Sequence, residues 1–141
     1  MISLLWAVKE TFVRYVGDHG SITTVPPACT DREGYVFAGA STSDEVWRFE
    51  GRIDFEAHAG LLGAVIADPW LHREPGGCYL SVAGTGPTRS LGDRLRLVEL
   101  PELSTEDPIP FETRATLAAE GAVLFDFRYP ADTEMAPIRI E

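Results

Sequence analysis

Long apolar runs are missing from this sequence. The most apolar stretch, residues 61–67, is strand-sized and contains Gly63, far short of the roughly 18 residues that a membrane-spanning helix needs. Met1-Ile2 lead straight into a patterned segment with no charged leader, apolar core or small-residue cleavage site, so no export signal is expected. Cysteine is scarce: Cys29 and Cys78 can pair only once and lack CxxC or CxxH zinc spacing. They read as free thiols of a reducing cytoplasm. Clustered positive charge is also absent, because 12 Lys and Arg are scattered among 22 Asp and Glu for a net charge of −10. That balance argues against nucleic acid or anionic lipid as a partner, and nothing points to membrane insertion. A GxSxG elbow, a GxGxxG loop after a strand, HExxH and a Walker lysine are all lacking, as are repeats and low-complexity segments.

What remains is enough apolar material for one core. With 141 residues, 45% of them hydrophobic, the chain is expected to form one domain over residues 1–141. Leu5, Val8, Phe12 and Tyr15 recur at intervals of three and four, which predicts an amphipathic helix over residues 3–16, stopped around Gly17-Asp18-His19-Gly20. Its stripe ends in a phenol, Tyr15, which either hydrogen-bonds within the core or serves as a ligand. Strands are expected at 21–25, 35–40, 61–67, 78–83 and 95–100, with turns at Asp68-Pro69, Pro75-Gly76-Gly77 and Gly84-Thr85-Gly86-Pro87. Between residues 46 and 55, Trp47, Phe49, Ile53 and Phe55 alternate with Arg48, Glu50, Arg52 and Asp54. This is one long half-solvated strand, free to bend at Gly51. Residues 113–125 suit a short second helix and 137–141 an edge strand. The fold expected is mainly β, an antiparallel β-sandwich or barrel-like structure with an N-terminal helix and a short C-terminal helix packed on it.

Several blocks then resemble one family. They are Leu5-Trp6-Ala7-Val8-Lys9-Glu10-Thr11-Phe12-Val13-Arg14-Tyr15-Val16, Gly20-Ser21-Ile22-Thr23, and Gly51-Arg52-Ile53-Asp54-Phe55-Glu56-Ala57-His58-Ala59-Gly60. Leu61-Leu62, Ala67-Asp68-Pro69 and Leu117-Ala118-Ala119-Glu120-Gly121-Ala122 follow, leading to Phe125, Phe127 and Tyr129-Pro130. In this order they resemble a single HtaA domain, the module of haem-binding and haem-transport proteins of actinobacteria. The resemblance implies b-type ferric haem whose axial ligand is Tyr15, since a phenolate is a hard anionic donor suited to Fe(III). His58 falls in the family's Gly-His-x-Gly region, with Ala57 in place of the first glycine, and is implied as the neighbour that handles the phenol proton or stands on the distal side. Tyr129, Phe12 and Trp6 are implied as pocket aromatics, and intracellular haem handling as the task.

The residues alone leave other readings open. His58 also suits a turn between strands, Tyr129 a packed strand end, and Trp6 and Phe12 an ordinary core, while His19 and His72 read as exposed loop histidines. Asp44-Glu45, Glu106-Asp107 and Asp54 with Glu56 read as solvated charge rather than paired catalytic acids. One alternative is a small β-fold enzyme of specialised metabolism that takes another flat hydrophobic molecule, with Tyr15 and His58 as an acid/base couple. Another is a domain that has lost its ligand and meets a basic protein partner, its pocket filled by buried Trp6, Phe12 and Tyr15. A homodimer stays open.

Overall fold

Apolar residues recur at every second position through most of the chain, and that period makes strands. The computed structural model describes residues 2–43, 45–84 and 93–141. In chain order it contains β1 (Ser3–Trp6), α1 (Glu10–His19), β2 (Gly20–Val25), β3 (Cys29–Asp31), β4 (Gly34–Thr42), β5 (Val46–Glu50), β6 (Arg52–Ala57) and a single 3-10 turn, His58–Gly60. There follow β7 (Leu62–Ala67), β8 (Trp70–Glu74), β9 (Gly77–Ala83), β10 (Arg94–Leu100), β11 (Phe111–Leu117), α2 (Gly121–Leu124) and β12 (Glu134–Ile140). The larger sheet runs β1-β12-β11-β10-β9-β8-β5-β4, and β4 returns to pair with β1 through Leu4↔Phe37. An eight-stranded antiparallel barrel is thereby closed, with β3 as an extra strand on β4. Of the two β architectures expected, the barrel is the one found. A second sheet, β2-β6-β7, stands beside it.

The barrel interior is filled by inward residues such as Leu4, Trp6, Phe37, Phe49, Leu71, Leu80, Leu97 and Ile138, none more than 2% exposed. Gly51 marks where the chain leaves the barrel. It has φ of +128°, and a Cβ there would stand 2.4 Å from the Cβ of Ala28 and 2.6 Å from its nitrogen. Only glycine supports both the turn and the contact, so the expected single strand over 46–55 is two strands belonging to two sheets.

The expected helix over 3–16 is also corrected. Residues 3–6 form β1, paired with β4 and β12, because Leu4 and Trp6 alternate with Ser3 and Leu5 to face the interior. Val8, at φ of +63°, ends the extended run, and α1 begins only at Glu10. The helix ends at His19, within the expected stop over residues 17–20, and Gly20 opens β2. Residues 113–117 are strand rather than helix: they lie in β11 beside β12, leaving α2 only residues 121–124. The C-terminal segment is not an edge, since β12 lies between β1 and β11. β3 and β8 had no sequence expectation. The turn over residues 84–87 lies, from residue 85 on, outside the described residues, as does Asp44.

His72, expected in an exposed loop, is half-buried on β8. Its ring stacks on Tyr79 at 4.4 Å with 9° between planes, and Nε2 lies 2.8 Å from Ser81 Oγ. Burial holds its pKa below the ordinary histidine value, with Glu74 opposing and Arg94, Arg96 and Arg48 reinforcing the shift. The unfolded chain therefore binds this proton more readily, and stability declines as pH falls below about 6.5. His72→Gln is expected to flatten the dependence of Tm on pH between about 6.5 and 5.5; an unchanged slope would count against the burial argument.

Phe12 is 1% exposed and packs edge-on against Phe125 at 5.0 Å, with Phe55 at 5.2 Å and Tyr129 at 6.4 Å. Phe12→Ala is expected to lower unfolding free energy by about 3–5 kcal/mol, measurable by urea denaturation; a loss below about 1 kcal/mol would show that the ring is not part of the core.

Candidate functional site

The last two turns of α1 carry Phe12, Tyr15, Val16 and His19 on one side, as a 3.6-residue period requires. Phe12 and Val16 are buried and anchor the helix. Tyr15 and His19 are thus left beside the end of β6. Gly20 permits the close approach: β2 pairs with β6 through Gly20↔Ala57, and a Cβ on Gly20 would lie 1.8 Å from the carbonyl oxygen of Glu56. His58, immediately after β6, is brought to the helix by that contact.

There the hydroxyl of Tyr15 and Nε2 of His58 are 2.5 Å apart, so the phenol donates to a neutral imidazole or accepts from a protonated one. His19, although exposed, is not a free loop residue. Its ring lies 4.5 Å from that of Tyr15 and stacks on that of His58 at 5.3 Å and 27°. The guanidinium of Arg128 stands 5.8 Å from the Tyr15 ring centre. One phenol, two imidazoles and one guanidinium therefore share a partly solvated face. Sequence reasoning singled out Tyr15 and His58 but missed His19 and Arg128. The four-residue spacing of Tyr15 and His19 was the available signal for His19, whereas Arg128 is placed by a loop without periodicity.

The remaining expected residues have distinct positions. Phe12 lies directly beneath the helix. Tyr129 is partly buried against Phe125 at 5.8 Å, with Lys9 Nζ 5.4 Å from its ring centre. Trp6 is 2% exposed in the barrel, where Nε1 donates to the carbonyl of Ala136 at 2.8 Å, and it makes no ring contact with the Tyr15 group among the described residues. Asp54 is paired with Arg52 at 2.6 Å and Asp107 accepts the Ser104 N–H at 2.8 Å, which agrees with structural roles for these acids.

Two features mark the Tyr15 face as more than ordinary surface. Among the described residues, four of the seven non-glycine residues with positive φ, namely His58, Ala59, Asp126 and Phe127, lie in the two segments that reach it. Such backbone is costly and concentrates at functional positions. The same segments present large apolar side chains to solvent: Leu61 is 88% exposed and Phe127 71%. A hydrogen-bonded phenol whose neighbouring segments carry uncovered apolar groups suits a flat molecule that is apolar over most of its area and binds through one polar centre. No group of three or more His, Cys, Asp or Glu able to hold a metal ion occurs among the described residues. Among the described residues, no helix is long and apolar enough to cross a membrane.

Known proteins sharpen this picture. No protein of curated function matches the chain in sequence. Among solved structures, it is similar to the C-terminal domain of HtaA from Corynebacterium glutamicum, with 20% identity, a TM-score of 0.79, and coverage of 99% of this chain and 93% of that one. The N-terminal domain of the same protein gives 20% identity and a TM-score of 0.76, covering 99% and 94%. The heme binding protein HtaB from Corynebacterium glutamicum gives 14% identity and a TM-score of 0.73, with coverage again 99% and 94%. The HtaA family model (Htaa) matches residues 2–141, a span that includes the helix of Tyr15, the turn of His58 and the loop of Arg128, and the chain thus belongs to the HtaA family.

Proposed function

We propose that this protein binds haem and holds it in the ferric state through the phenolate oxygen of Tyr15. The observation that carries the reading is the Tyr15–His58 contact, reached by segments that also carry exposed Leu61 and Phe127. The donor set fits the group: a phenolate prefers Fe(III), and uncovered apolar side chains suit a porphyrin. Haem bound there would supply a ferric centre of low reduction potential. His58 takes up the proton that Tyr15 must lose and, once protonated, donates through Nε2 to the phenolate, so the charge created on one ring is balanced on the other. Arg128 adds positive charge beside Tyr15, suited to the phenolate or to a propionate, and Phe12 with Tyr129 supports the helix that aims the phenol.

Tyr15 is only partly buried, which favours ligand binding over a domain whose pocket has been filled by its own aromatics. Clefts of about 640 and 780 Å³ are lined by other residues, and neither includes Tyr15 or His58. Cys29 and Cys78 are unpaired, as suits a reducing compartment and haem handled inside the cell.

Hemin added to the purified apoprotein is expected to bind one-to-one with a high-spin ferric spectrum and a charge-transfer band. Tyr15→Phe should abolish that band while leaving Tm within a few degrees, and an absence of saturable binding to the parent protein would defeat the proposal. Removal of the proton acceptor in His58→Ala should weaken hemin binding by about 10–100-fold. Arg128→Ala, which removes an exposed charge, should cost only about fivefold, with a smaller effect at high salt; a larger loss for Arg128→Ala than for His58→Ala would reverse the roles given to these residues.

A further inference from the structure

At the other end of β6 from His58 lies a cleft that the haem proposal does not use. Arg52 borders it, and the six residue steps from Arg52 to His58 span about 20 Å of extended chain, so the two places are separate. The cleft has a volume of about 640 Å³, within the range of small-molecule sites. Its lining combines apolar Val25, Pro26 and Pro27 with Trp70 of β8, Arg48 of β5 and Arg94 of β10. Val25 is 41% exposed, an uncovered aliphatic group inside a concave surface.

Arg48 and Arg94 share one indole. The Cζ of Arg48 lies 4.3 Å from the Trp70 ring centre and that of Arg94 4.0 Å. Stacking of this kind fixes the plane of a guanidinium and presents its N–H fork in one direction. Arg94 is held further: Nη2 donates to the carbonyls of Asp68 at 2.7 Å and Ser81 at 2.9 Å, and Nε donates to Ser81 Oγ at 3.2 Å. Its Nη1 makes no hydrogen bond among the described residues.

Neither cation has a carboxylate partner among the described residues. The ion pairs of the described residues use Arg14, Arg52, Arg96, Arg114 and Arg139, and Arg48 and Arg94 are not among them. Two acids border the cleft, Glu50 and Asp68; Asp68 is engaged by the N–H of Gly51 at 3.1 Å, and neither reaches ion-pairing distance of Arg48 or Arg94. Burial lowers the Arg94 pKa to about 10, with Asp68 opposing and the like charge of Arg48 reinforcing the shift. In a chain of net charge −10, two adjacent unpaired guanidiniums, one of them desolvated, form a local reversal of sign that an anion would relieve.

We propose that this cleft is a second ligand site, for a small organic carboxylate whose charged end is gripped between Arg48 and Arg94 while its apolar body lies against Val25, Pro26 and Pro27. A carboxylate matches the guanidinium fork with two parallel N–H···O bonds, and the apolar lining distinguishes such a molecule from an inorganic anion. The site does not depend on the haem proposal.

Calorimetric titration of the full chain with naphthalene-2-carboxylate, its uncharged amide and inorganic phosphate tests the assignment. Saturable one-to-one binding of the carboxylate is expected, with at least tenfold weaker binding of the amide and a similar loss in Arg48→Gln. Arg48→Gln should bind hemin like the parent. Equal affinity for acid and amide, binding that survives Arg48→Gln, or no saturation would overturn the proposal. Phosphate binding as tightly as the carboxylate would make this a simple anion site and remove the role of the apolar lining, and altered hemin affinity in Arg48→Gln would show that the two places are not separate.

Discussion

The packing of Phe12 is the constraint on which the proposed haem face depends. Its ring joins three parts of the chain that are remote in sequence: α1 itself, β6 through Phe55, and the segment after α2 through Phe125 and Tyr129. Those same parts carry Tyr15, His58 and Arg128. A buried aromatic joint thus fixes, from below, the separation of polar groups that act above it. Such joints suit this task because interiors are close-packed and resist small displacements, whereas an exposed hydrogen bond alone adds only about 1 kcal/mol.

Charge is distributed with the same economy of position. Five of the ten described arginines, Arg14, Arg52, Arg96, Arg114 and Arg139, are paired with a carboxylate at the surface, where each pair contributes little. Three departures are informative. Arg73, only 6% exposed, stacks on Trp47 at 4.7 Å and donates to the carbonyls of Ser104 and Asp107, fastening the loop after β10. Arg128 stands by the phenol, and Arg48 with Arg94 lines the cleft. At these three places, positive charge without a carboxylate partner among the described residues either pins the structure or lies where a ligand is proposed.

The sequence was legible where a period had a single meaning. β2, β4, β7, β9 and β10 lie within one or two residues of expectation because β-branched and aromatic runs there are bounded by Gly and Pro. It misled where two periods coincided. Leu5, Val8, Phe12 and Tyr15 describe a helical stripe, yet Leu4, Trp6 and Val8 describe a strand equally well, and pairing with both β4 and β12 decided in favour of the strand. Residues 113–117 followed the same rule, their Ala and Leu drawn into β11 by partners on either side. Tyr15 and His58 could be singled out individually, but their contact arises from Gly20 and the β2–β6 register, long-range facts that no local pattern encodes. His19 was overlooked because a histidine at a helix end is ordinary until its neighbours are known.

The seam of the barrel joins its first strand to its last, Leu4 to Ile140. On a chain that emerges from the ribosome in order, β1 must wait with one edge unsatisfied until some 130 further residues have followed. Hairpins such as β8–β9 and the β2-β6-β7 sheet can assemble early from nearby residues, but the cylinder cannot. Folding therefore includes a long-range closure step, slow for the size of the protein, whereas the helix bearing Tyr15 packs against β2 and β6, which belong to the sheet that can form before the seam.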